Sequence, residues 1–193
     1  IEEFLIRKYW YQTPFGLIVY ITHCEWTHRQ KNHLVTITRA LPNWVTDLSG
    51  SMGERPCLGI KARLHFIWPH HHTIDVLIGC VHIIATPTKA PTETKEMIKF
   101  VDDMNGYTNT NGWILCGDFN ADPQVTGQVT NRSVQWAPTW SQINQQQYPI
   151  DYLVSSTPAV TNAPFNGWQT GTAMSDHRLM AFIQQFGPVV QIL

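Results

Sequence analysis

The chain has 193 residues, 43% of them hydrophobic and 11% aromatic, which is enough for a buried core and too apolar for a disordered segment. Charged residues make up only 14% and the formal net charge is −1, so no global basic field marks a nucleic-acid binder and any phosphate binding must be local. The longest apolar run, Phe15 to Ile21, is far too short to span a bilayer.

Polarity comes mainly from Thr, Asn, Gln and Ser, which suits a secreted or assembly-bound protein. The chain opens on Ile1 with no signal peptide, so it reads as a processed product or a fragment. Residues 1–12 are amphipathic and aromatic, and Thr13-Pro14-Phe15-Gly16 is a turn. Leu17 to Ile21 is short, β-branched and aromatic, the pattern of a strand. A polar patch from Glu25 to Asn32 precedes a second strand, His33 to Thr38. Residues 40–54, with Pro42, Gly50 and Gly53, read as loop with room for one short strand. Arg55 to Ala62 is a third strand, with Pro56 at its start, where a missing donor costs little.

His70-His71-His72 falls in a hairpin turn. Neighbouring side chains there point in different directions, so a solvent-exposed loop explains the triplet better than one shared metal ion. Ile74 to Val81 is the most hydrophobic strand and delivers His82 at its end. From Thr92 to Met104 the apolar residues Met97, Phe100, Val101 and Met104 recur at helical spacing, with Thr92 as N-cap and Asn105-Gly106 as the stop. The helix leads to an apolar strand, Trp113 to Cys116, which ends in Gly117-Asp118-Phe119-Asn120. Strand, helix, strand is the signature of parallel neighbours, and it brings His82 to the same edge as Asp118 and Asn120.

On an extended backbone Asp118 and Asn120 point to one side. A carboxylate and a carboxamide there can hold a hard cation or a phosphate, or can simply cap a strand before the turn at Ala121-Asp122-Pro123. Beyond Pro123 the chain is loop-rich until Tyr148 to Ser155, a strand with Asp151 at its beginning. A long loop then leads through Ser175-Asp176-His177 to a last strand, Leu179 to Ile183. Cys24, Cys57, Cys80 and Cys116 have no metal spacing; Cys80 and Cys116 read as small core residues, and a disulfide cannot be assigned. Trp113, Trp136, Trp140 and Trp168 read as core or interface aromatics, with base stacking as the other use. No repeat and no domain boundary is visible, so residues 1–193 form one domain.

Gly117-Asp118-Phe119-Asn120, Ile150-Asp151-Tyr152 and Ser175-Asp176-His177, in that order, resemble the endonuclease/exonuclease/phosphatase superfamily, of which deoxyribonuclease I is a familiar member. Within it the chain looks most like the B subunits of cytolethal distending toxins. Ile1-Glu2-Glu3-Phe4, His33 to Arg39, Arg55 to Lys61, Val81-His82-Ile83-Ile84-Ala85-Thr86 and Ala137-Pro138-Thr139 all look like that group's segments. The departure is at the front. The family's opening strands, ending in Trp-Asn and in Gln-Glu with its metal-binding Glu, are absent, and Glu2 and Glu3 correspond to a later segment.

The resemblance implies a four-layer α/β/β/α sandwich lacking its N-terminal strands. It implies Mg²⁺-dependent hydrolysis of DNA phosphodiesters (with Ca²⁺ or Mn²⁺ as substitutes) by the nuclease subunit of a secreted genotoxin that acts in the host nucleus. Its partners would be DNA and either toxin delivery subunits or a chain that supplies the missing strands. The roles it implies are His177 as general base oriented by Asp151, and His82 protonating the leaving oxygen or stabilising the transition state. Asp118 and Asn120 would position phosphate and metal, Asp176 would ligate the metal, and Arg55 would contact a backbone phosphate through its planar fork. Surface or cap roles are the competing readings for Arg55, Asp122 and Asp176. Two other functions stand as alternatives. One is a phosphoinositide phosphatase, although the Pro-Ala-Trp-Cys-Asp-Arg signature of those enzymes is replaced here by Tyr148-Pro149-Ile150-Asp151-Tyr152. The other is a catalytically incomplete binding or scaffold subunit.

Overall fold

A computed structural model of the protein describes residues 4–26, 33–48, 55, 57–66, 72–86, 88–136 and 149–156. Two sheets and two helices account for most of them. Strands β1 (Phe4–Gln12), β2 (Ile18–Trp26) and β3 (His33–Thr38) form an antiparallel meander in the order β1-β2-β3. The second sheet has six strands. They are β4 (Pro42–Asp47), β5 (Cys57–Phe66), β6 (His72–His82), β7 (Gly112–Asp118), β8 (Ser133–Trp136) and β9 (Asp151–Ser155), in the order β4-β5-β6-β7-β9-β8.

Among the described strands only β6 and β7 run parallel, and α1 (Ala90–Thr108) is the crossover between them. All other neighbours are antiparallel, as short connections allow. Alternation decides which side chains face which layer. Leu77 and Val81 of β6, Trp113 and Leu115 of β7, and Tyr152 and Val154 of β9 pack with Met97, Ile98 and Val101 of α1 in the larger core. The opposite face of the same sheet meets the meander through Leu58, Cys24 and Leu34, with Ile6, Val45 and Cys80 at the margin. The result is a helical layer, a six-stranded sheet and a three-stranded sheet, three layers of the expected α/β/β/α sandwich. Among the described residues no helix covers the outer face of the meander, where Leu5, Tyr9, Tyr11, Val35 and Ile37 are exposed.

The structure corrects several element boundaries. Residues 4–12 form a full strand rather than an unassigned segment. The helix starts at Ala90, two residues before the expected cap, because Pro91 is tolerated in the first turn, where its missing N–H has no partner to lose. Asn105-Gly106 lies inside the helix. The left-handed C-cap is Asn109, at φ 50°. The segment after Pro123, read as loop, forms α2 (Pro123–Thr130) and then β8. Asp122 caps α2 by accepting from the Gln124 N–H at 2.7 Å, Pro123 fills its first turn and Asn131 closes it at φ 53°. The hydroxyls of Thr126 and Tyr152 lie 2.7 Å apart and pin α2 to β9. Burial pushes the Tyr152 phenol well above its ordinary range, so it is a neutral hydroxyl.

All four cysteines are free. Cys24 and Cys57 are buried, while Cys80 and Cys116 are half-buried. Burial pushes the Cys116 thiol up to about 12 and the Cys24 thiol up to about 11, so neither is a reactive nucleophile. Among the described residues no helix is long and apolar enough to cross a membrane.

Candidate active site

The parallel pairing of β6 with β7 sets His82 opposite Asp118, and the antiparallel pairing of β7 with β9 sets Asp118 opposite Asp151. Residues paired across neighbouring strands project to the same face. His82, Asp118 and Asp151 therefore form one row across the end of the sheet, on the face turned toward the meander. His82 Nε2 is 3.6 Å from Asp118 Oδ2, an ion pair whenever the ring is protonated. The histidine is 30% exposed and so remains open to solvent and substrate.

The turn after β7 is built by local bonds. Asp118 Oδ1 accepts from the Asn120 N–H at 2.9 Å, which holds Asn120 in the left-handed region at φ 48°, a conformation asparagine tolerates. One Asp118 oxygen thus caps the turn, as the strand-cap reading expects, and the other faces His82. Gly117 is required just before it. Its φ is +142°, and a Cβ there would lie 2.1 Å from the Val81 carbonyl oxygen on the neighbouring strand.

The peptide after His82 ties the edge together. Ile83 N–H donates to the Asp118 carbonyl at 2.8 Å. The Ile83 carbonyl accepts both Asn120 Nδ2 at 2.8 Å and Arg55 Nη1 at 3.1 Å. The expected phosphate-binding arginine is therefore gathered to the same place as the row, from a position 28 residues earlier in the chain. Next along, Ile84 N–H donates to Glu93 Oε2 of α1 at 3.3 Å. On the other flank Phe119 N–H donates to the Ile150 carbonyl at 2.8 Å, and the Phe119 ring stacks on Tyr152 at 4.3 Å.

His82, Asp118, Asn120, Asp151 and Arg55 are thus brought to one edge. Asp176 and His177 lie outside the described residues, as do Trp140, Trp168, Glu2, Glu3, His70 and His71. Trp113 is fully buried, where its indole N–H donates to Asp102 at 2.8 Å, so it is a core residue. Trp136 is 38% exposed at the end of β8. Asp122 is the cap of α2.

Asp118 and Asn120 supply hard oxygen donors of the kind that Mg²⁺, Ca²⁺ and Mn²⁺ accept, with the Asp151 carboxylate across the ladder from them. Among the described residues no three His, Cys, Asp or Glu side chains converge tightly enough to hold a metal ion by themselves. The donor chemistry suits a hard cation, for which the donors present would supply only part of a coordination sphere. Sequence reasoning missed Glu93 at this edge. Its signal was a carboxylate at position 93 on the stripe of Met97 and Val101, where an apolar residue would be expected.

No family model matches the chain, and no curated protein matches its sequence. Its fold is similar to solved structures. The crystal structure of the Haemophilus ducreyi cytolethal distending toxin matches with a TM-score of 0.67 at 17% identity, covering 94% of this chain and 75% of that one. Truncated Caenorhabditis elegans TDP2 matches with a TM-score of 0.52 at 14% identity, covering 90% of this chain and 73% of that one. The architecture is the DNase I-like α/β fold.

Proposed function

We propose that the protein is a phosphodiesterase acting on DNA with a divalent cation of the Mg²⁺ class, as the nuclease subunit of a secreted, cytolethal-distending-toxin-like genotoxin that works in the host nucleus. The observation that carries this reading is the row of His82, Asp118 and Asp151, with Asn120 and Arg55 drawn to the same peptide. Hydrolysis needs an activated water, stabilisation of charge at phosphorus and a proton for the leaving oxygen. A water oxygen attacks phosphorus, one ester P–O bond breaks and the departing alkoxide takes up a proton.

His82 is the residue of the row that can give that proton, and Asp118, 3.6 Å away, offsets the charge of the ring that carries it. Asp151 opens β9 at the far end of the row, where it would orient His177 as the base that takes the proton of the water. Arg55 and Asn120 would hold phosphate oxygens. Asp118 and Asn120, with Asp176, would hold the cation, which when bound neutralises negative charge at the phosphate. DNA is the proposed substrate, and toxin delivery subunits, or a chain supplying the front strands, are the proposed partners.

The test is nicking of supercoiled plasmid in Mg²⁺, compared with chelator and with His177→Ala. The reading predicts nicking by the wild type in Mg²⁺ alone and its loss in the variant. Phosphate release from a phosphoinositide with DNA untouched would replace DNA by the lipid substrate. No hydrolysis of either, even with a front segment supplied, would make the chain a non-catalytic subunit.

A further inference from the structure

We infer that Glu93, on the first turn of α1, is a positioning residue that fixes the peptide on which Arg55 and Asn120 converge. Glu93 is 8% exposed although it is a carboxylate, and burying such a group is costly unless its oxygens are used. One of them, Oε2, accepts the Ile84 N–H at 3.3 Å. The adjoining residue, Ile83, has its N–H on the Asp118 carbonyl and its own carbonyl under Asn120 Nδ2 and Arg55 Nη1. With the Ile84 carbonyl accepting from the Thr86 N–H at 2.8 Å, five hydrogen bonds meet on two consecutive residues just beyond His82, and among the described residues only Glu93 reaches them from the helical layer. The location suits a charge, because a carboxylate in a first helical turn lies in the favourable field of the helix N-terminus.

If the Ile84 N–H loses this acceptor, the 83–84 segment can rotate. The carbonyl that aligns Arg55 with Asn120 then moves. This role rests on the proposed phosphodiesterase reading, because the aligned groups are those that would hold phosphate. Outer partners of this kind typically change activity by about 10–100-fold.

The experiment compares wild type, Glu93→Ala and Glu93→Gln by steady-state plasmid nicking in Mg²⁺ and by residue-resolved amide hydrogen exchange. Glu93→Ala is expected to lower kcat/KM by about 10-fold or more, mostly through KM, because ground-state phosphate contacts are displaced. Glu93→Gln, whose amide oxygen can still accept from Ile84, is expected to stay within about threefold of wild type. Exchange in Glu93→Ala should quicken at Ile84 and also at Ile83 and Asn120, whose N–H groups bond to Asp118. Equal loss in both variants, or faster exchange confined to Ile84, would overturn the positioning role. Should the wild type hydrolyse nothing while exchange still spreads to Ile83 and Asn120, the role stands and the phosphodiesterase reading falls.

Discussion

Replacing Gly117 by alanine tests how the site is held at the strand end. The glycine sits at φ +142°, a region that L-residues rarely adopt, and the added methyl would meet the Val81 carbonyl oxygen at 2.1 Å and the Val81 nitrogen at 3.0 Å. Both obstacles are backbone atoms of the parallel neighbour, so no side chain can swing away. Conformational strain alone contributes about 1–3 kcal/mol. Relief of the overlap requires β6 and β7 to move apart, at about 1–3 kcal/mol, as in overpacked cores. Together these give a destabilisation of about 2–6 kcal/mol, a large share of the ~5–15 kcal/mol typical of a domain. Urea unfolding followed by tryptophan fluorescence measures it, with a lowered midpoint and an unchanged slope expected. A loss below about 0.5 kcal/mol, the ordinary scale of a neutral surface change, would refute the claim that this close approach fixes Asp118 against His82.

Two further outcomes follow from single contacts. Thr126→Val leaves the buried Tyr152 hydroxyl without the partner it has at 2.7 Å and should cost about 1–3 kcal/mol in urea unfolding, with most of the loss recovered in the double variant with Tyr152→Phe. Asp75 is held down at about 2, first by its hydrogen bonds to Arg63 and then by Lys61. Because its folded value is depressed, the stability it contributes is present above the ordinary aspartate value near 4 and is lost as pH falls toward 2. Wild type should therefore unfold at higher urea than Asp75→Asn at pH 6, and the two midpoints should converge by pH 2; a gap that persists at pH 2 would contradict the assignment.

The parallel β6–α1–β7 unit was legible because each piece is strongly patterned. Two apolar runs end in polar residues, and an amphipathic helix separates them, so the meeting of His82 with Asp118 followed from topology alone. Helix ends were less legible. Asn105-Gly106 is a good stop signal, but the helix runs on beyond Met104 to Thr108, placing the Thr108 carbonyl 2.7 Å from Lys61 Nζ, and Asn111 exchanges backbone and side-chain bonds with Asp75. Tertiary bonds outweighed the local signal. α2 was hidden for a related reason. It is eight residues long and carries Gly127 with Val125, Thr126, Val129 and Thr130, none of them strong helix formers. It persists because Asp122 and Asn131 cap it and Thr126 bonds to Tyr152. The convergence of Arg55 and Asn120 on Ile83 O involves a main-chain acceptor, and no residue pattern encodes which carbonyl two distant side chains will share.

In the proposed reaction His82 and Asp118 act together as one catalytic unit. The measurement is the nicking rate of wild type, His82→Ala, Asp118→Asn and the double variant in saturating Mg²⁺. Each single change should slow nicking by about 10²–10⁴-fold, the usual contribution of a general acid, and the double variant should be little slower than the worse single one. Single variants that nick at the wild-type rate, or a double variant whose loss is the product of the two, would contradict that joint action.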